Sequence, residues 1–290
     1  MSLRTYRPPW VDSVDIGDEI RMMRAWWGQP HRLRRAASAY QRLLAVAPAA
    51  IAYAFTLFVT WWTLRGASDI VGRRLILSAS TNLRNMQRDP IQVLLASAFW
   101  TDGGFPWGDI LTLLTVMALA ERWLGSLRWI LVVAAGHIGA TLLTVSAISH
   151  AVARDMIPFR VTVASDVGPS YGISAMLAVM AYRLRGRVRL IYAVGLLIWY
   201  GFALWSGPTF TDYGHLLALF IGFAVGGLAV LFSRRLLAWR NSAARTGPTA
   251  ERAAVPSDPG DGVESAAVPL EEPDGRLDHS GGDRAQYGHN

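Results

Sequence analysis

Long apolar runs, broken by short clusters of arginine, glycine and proline, dominate the chain between residues 45 and 235. They fall at about 45–64, 108–120, 127–147, 167–182, 189–206 and 213–233. Runs this continuous lack the polar face of a helix on a soluble core, and several approach the ~20 residues that a membrane crossing takes. The pattern predicts six helices, the second trimmed by Asp109 and Glu121. The expected fold class is all-α integral membrane, a bundle of six transmembrane helices over 45–235. A basic cytoplasmic segment, 1–44, precedes it, and a disordered acidic cytoplasmic tail, 241–290, follows.

Charge orients the runs. Arg183, Arg185, Arg187 and Arg189 lie between the fourth and fifth, and Arg234, Arg235 and Arg240 follow the sixth, whereas SGPTFTD between the fifth and sixth has no basic residue. By the positive-inside rule this predicts a multi-pass protein of the cell membrane with both termini cytoplasmic. The first 42 residues carry eight arginines and no apolar run long enough for a signal peptide, so the N-terminus is expected to stay inside. The arginines and tryptophans of IRMMRAWWGQPHRLRRAASAYQRLL suit either a helix on the inner membrane surface or a solvated basic tail. Between the first two runs lie some 43 residues, RGASDIVGRRLILSASTNLRNMQRDPIQVLLASAFWTDGGFPW, too many for a plain connector and expected to fold into the outer leaflet.

Composition removes several chemistries. There is no cysteine, which excludes disulfides, thiolate catalysis and cysteine-bound metal, and no pair of histidines has metal-ligand spacing, so no cofactor is expected. The net charge of +7 divides unevenly: residues 241–290 hold nine acids and four arginines, which leaves +12 on the remainder, flanking the apolar runs. That placement belongs to membrane orientation rather than phosphate binding, and no nucleic-acid partner is expected. The expected partners are membrane lipid and the transmembrane segments of client proteins.

Candidate chemistry centres on Ser170 and His215. If Asp166 and Asp212 cap the fourth and sixth helices, both residues lie at a similar shallow depth beneath the outer face. Small residues follow each at helical spacing: Ser170, Ser174, Ala178 and Ala181 on one helix, His215, Ala218, Gly222 and Gly226 on the other. Packing of the two stripes would bring the imidazole to the hydroxyl, the minimum for an activated serine. The alternative is a packing serine beside a histidine that bonds a neighbour. GPSYG also fits the Gly-x-Ser-x-Gly elbow of soluble hydrolases, but that turn follows a strand, and none is expected. His137, in AAGHIGATLL, suits packing or hydrogen bonding within a span.

Together, DPIQVLLASAFWTDGG in the long first loop, ALAERWLGSLRWILVVAAGHIGATLL, GPSYG and GHLLALFIGFAVGG resemble the rhomboid intramembrane serine proteases over about residues 45–235. The segment Glu-Arg-x-x-Gly-Ser at 121–126 carries much of the resemblance. It implies a six-span rhomboid-like bundle and a catalytic dyad of Ser170, with Gly168 two residues before it, and His215. Five positions in three segments depart from the family's pattern. Tyr171 stands where a glycine usually follows the serine. Phe105 and Asp109 occupy the places of the oxyanion-binding His-x-x-x-Asn, and Ile91 and Gln92 replace the first-loop Trp-Arg. Two functions stay open: an intramembrane serine endopeptidase acting on transmembrane clients through Ser170 and His215, or a catalytically silent relative that binds transmembrane segments. No charged pair lies deep in the spans, which disfavours a channel or transporter.

Overall fold

The computed structural model describes residues 10, 12–27, 31–207 and 209–245, and the expected acidic tail therefore lies almost wholly outside the described residues. Twelve α-helices follow one another among them: α1 Ile16–Trp27, α2 Arg32–Ala45, α3 Pro48–Arg65, α4 Asp69–Ala79, α5 Leu83–Arg88, α6 Pro90–Phe99, α7 Trp107–Thr112, α8 Ala118–Leu124, α9 Ser126–Ala153, α10 Ser170–Met180, α11 Gly186–Ser206 and α12 Phe210–Arg245. A π-turn, Leu113–Met117, joins α7 to α8 without a break. Every apolar run of the sequence becomes a helix. The long first loop, too long for a plain connector, holds three short helices, α4 to α6.

Three helices, Ser126–Ala153, Gly186–Ser206 and Phe210–Ser242, are long and apolar enough to cross a membrane. The pair α2 and α3 meets the same criterion jointly, with an 89° bend between them, which gives up to four spans against the six expected. The fourth run is the clearest shortfall. Its helix α10 has 11 residues, roughly 16 Å of rise, and it is encased by protein, with Ala175, Met176 and Ala178 fully buried. A helix shielded by its neighbours does not need the apolar length that lipid contact would demand.

A buried carboxylate fixes the start of α3. Pro48 opens the helix, and Ala47 before it has no side chain able to cap. Glu121, fully buried midway along α8, replaces the cap: it accepts from the amides of Ala49 (2.9 Å) and Ala50 (2.7 Å) and from the hydroxyl of Ser126 (2.6 Å). The 121–126 segment is therefore a clamp between the α8–α9 turn and the first turn of α3. Nearby, the Trp129 indole donates to the Met117 carbonyl.

Packing places α10 at the centre. Gly136 of α9 lies against Ala175, and Val133 against Gly172. On another side α10 meets α12. The fifth helix of the bundle, α11, is different: it has no buried residue, and two tyrosine hydroxyls tie it to α10, Tyr192 to the Leu177 carbonyl (3.1 Å) and Tyr200 to Ser174 Oγ (2.8 Å).

Candidate active site

Ser170 is the first residue of α10, preceded by Pro169 in helical conformation, and its side chain is half-buried. Asp166 is therefore not the cap of this helix, contrary to expectation. Its carboxylate instead accepts from the Thr81 hydroxyl (2.8 Å), in the middle of the α4–α5 connection, and from the Tyr171 phenol of α10 (2.9 Å). The Thr81 amide donates to the Asp166 carbonyl as well, and Ser80 Oγ accepts from the Asp166 amide. One residue pair further on, the Gly168 amide donates to Ser97 of α6. The approach to α10 is thus stapled to the first loop. Burial pushes the Asp166 carboxyl above the usual carboxylate range, against the pull of the Thr81 and Tyr171 hydroxyls.

Asp212 does not cap α12 by itself either. Thr209 and Asp212 form a reciprocal capping box: the Thr209 hydroxyl accepts from the Asp212 amide, and the Asp212 carboxylate accepts from the Thr209 amide (2.9 Å) and hydroxyl (2.7 Å). His215 follows within the first two turns. Its ring lies edge-on to Tyr171, with centroids 5.2 Å apart, and 6.3 Å from the ring of Tyr200.

The two small-residue stripes do not face each other in the expected register. A Cβ on Gly222 would stand 2.1 Å from the Ala175 carbonyl oxygen, and one on Gly214 would stand 2.1 Å from the Tyr171 hydroxyl. The line of α10 that meets α12 is therefore Tyr171 and Ala175, one position past Ser170 and Ser174. Ser174 points instead to Tyr200 of α11. One residue along a helix is a 100° turn, so the displaced register separates the serine stripe from the helix carrying His215. Ser170 and His215 both border Tyr171, yet no hydrogen bond joins them, and His215 Nε2 is buried without a partner among the described residues.

Residues 42–234, well over half of the 290-residue chain, match the sequence model of a family described as rhomboid-like protein. The chain belongs to the rhomboid-like family. No curated protein and no solved structure matches it significantly.

Set in that family's frame, the departures acquire structural roles. Tyr171 fits because Gly214, on the facing helix, leaves room for its phenol. Phe105 of this rhomboid-like protein packs in an aromatic group, edge-on to Trp61 (4.7 Å) and close to Trp107 (4.4 Å), and Asp109 lies in the first turn of α7. Neither side chain is a neutral donor suited to a developing oxyanion. The amides at the start of α10 are the donors left near Ser170. His137 holds α9 to α6, its Nε2 3.0 Å from Ser97 Oγ and 3.1 Å from the Leu94 carbonyl. Sequence reasoning missed the Asp166 staple and the capping role of Glu121. Asp166 sits 85 residues from Thr81, and no local spacing signals that pairing.

Proposed function

We propose that this rhomboid-like membrane protein binds transmembrane segments of client proteins beside α11 and does not cleave them. The observation that carries the reading is the state of the serine: Ser170 is not hydrogen-bonded to His215, and the ring beside His215 is Tyr171, held by Asp166. An unactivated hydroxyl is a poor nucleophile, and losing an oxyanion donor costs about 10²- to 10³-fold in rate. Client binding beside α11 follows from its loose seating. It offers exposed Ile198, Trp199, Phe202 and Trp205 along a helix with no buried residue. Small shifts of α11 would open a lateral groove onto α10, where a client helix replaces lipid against apolar side chains.

In this reading six helices cross the membrane: α3, the α7–α8 unit, α9, α10, α11 and α12. Both termini face the cytoplasm, in keeping with the arginines at 183–189 and 234–240.

The endopeptidase reading keeps one specific observation in its favour. His215 Nε2 is buried and unpartnered, its ring lies against Tyr171, the residue that follows half-buried Ser170, and catalytic hydrogen bonds often tighten only once substrate is bound. Labelling of the purified protein with a fluorophosphonate serine probe separates the two. The silent reading expects no label, no cleavage of a transmembrane substrate, and retained client crosslinking in Ser170→Ala. Labelling abolished by both Ser170→Ala and His215→Ala would replace it with the protease, and the double variant would then be no worse than either single one.

A further inference from the structure

α2 is the first half of a sharply bent helix pair. It precedes α3, whose 18 residues from Pro48 to Arg65 are almost wholly apolar, and meets it at 89°. The bend is held at two points rather than hinged. Glu121 grips the first turn of α3, and the Tyr40 phenol of α2 donates to the Leu114 carbonyl (3.1 Å), with Leu43 and Leu44 packed on the core. If α3 runs along the membrane normal, α2 lies in the membrane plane.

Its two faces differ sharply. Leu33, Tyr40 and Leu44 fall on one side by helical spacing, and Leu33 is 81% exposed, beyond the edge of the protein surface that covers Leu44. On the other side His31, Arg34, Arg35, Ser38 and Arg42 line a shallow depression of about 310 Å³. The helix has four arginines and no acid.

We propose that α2 is an in-plane membrane helix that docks anionic phospholipid headgroups. Arg34, Arg35 and Arg42, with His31 and Ser38, receive the lipid phosphate, and Leu33 enters the acyl boundary. Arginine suits this because its planar fork bonds two phosphate oxygens at once. The anionic leaflet supplies the complementary charge, and an apolar side chain below an arginine face is how interfacial helices anchor. The inference does not depend on whether Ser170 is catalytic.

Since the chain has no cysteine, spin labels report single sites on the full-length protein. Leu33→Cys and Ser38→Cys, labelled separately and reconstituted in vesicles of phosphatidylcholine and phosphatidylglycerol, should differ: oxygen relaxes the label at 33 more, and a water-soluble nickel chelate the label at 38. Equal chelate access at both sites would make α2 a solvated arm, and equal oxygen access would make it part of a broken span. Either overturns the proposal. In detergent, phosphatidylglycerol should raise the unfolding midpoint, phosphatidylcholine and inorganic phosphate should not, and added salt or the triple variant Arg34→Gln, Arg35→Gln, Arg42→Gln should remove the shift. An equal shift from inorganic phosphate, or one that survives the triple variant, would also overturn it.

Discussion

Glu121 shows how one side chain joins distant parts of this chain. It is fully buried, and its three partners come from the start of α3 and the start of α9. Removing it leaves two amides and a hydroxyl buried without an acceptor. Glu121→Ala should therefore lower stability by ~3 kcal/mol, read as the unfolding midpoint in detergent; a loss below about 0.5 kcal/mol would mean that water replaces the carboxylate. Asp166 makes a pH-dependent prediction. Its carboxyl is raised by burial, so the folded state holds the proton more tightly than the unfolded chain. Its contribution is full below the unfolded value of about 3.9 and is lost as pH rises through the raised folded value. The stability difference between wild type and Asp166→Asn should thus be greatest in acid and shrink with rising pH. A difference that widened with pH would show that the Thr81 and Tyr171 hydroxyls outweigh burial. The 121–126 segment is legible in the sequence as a motif, but its capping role is not, because the amides it serves lie some 70 residues upstream.

Among the elements, the contact of α10 with α12 decides what the site looks like. The sequence predicts a close approach from the small residues, and Gly222 against the Ala175 carbonyl is such an approach. It does not predict the register. Spacing of three and four residues identifies a stripe on each helix but leaves the rotation of one helix against the other free, and Tyr171 sets that rotation by filling the space over Gly214. Gly222→Leu should destabilise the bundle by ~1 to 3 kcal/mol through overpacking. Gly214→Ala should be destabilising as well, and less so in a Tyr171→Ala background, since the pair shares one space. An additive double variant would place the Tyr171 ring elsewhere.

At the scale of the whole molecule, length and apolarity divide the helices into two groups. Three, or four with the bent pair, satisfy length and apolarity, while α7–α8 and α10 contribute short segments inside the bundle. The six-span arrangement expects a reporter fused after residue 240 to be cytoplasmic and one inserted at 207–209 to be external. The reverse placement, or both reporters on one side, would remove that topology. The attachment of α11 to α10 through the hydroxyls of Tyr192 and Tyr200 is also a property of the assembly: its own sequence is about as apolar as that of α9.

The sequence by itself determined the helical class, the positions of the apolar helices and the membership in a rhomboid-like family, because continuous apolarity and local motifs are one-dimensional signals that need no partner to be recognised. It also pointed to Ser170 and His215 as neighbours of interest. The tertiary structure decided what surrounds them: Thr81 brought to Asp166, Tyr171 seated on Gly214, and the serine stripe turned toward α11. These are contacts between residues tens of positions apart, whose geometry depends on helix rotation and depth, and a one-dimensional pattern leaves both undetermined.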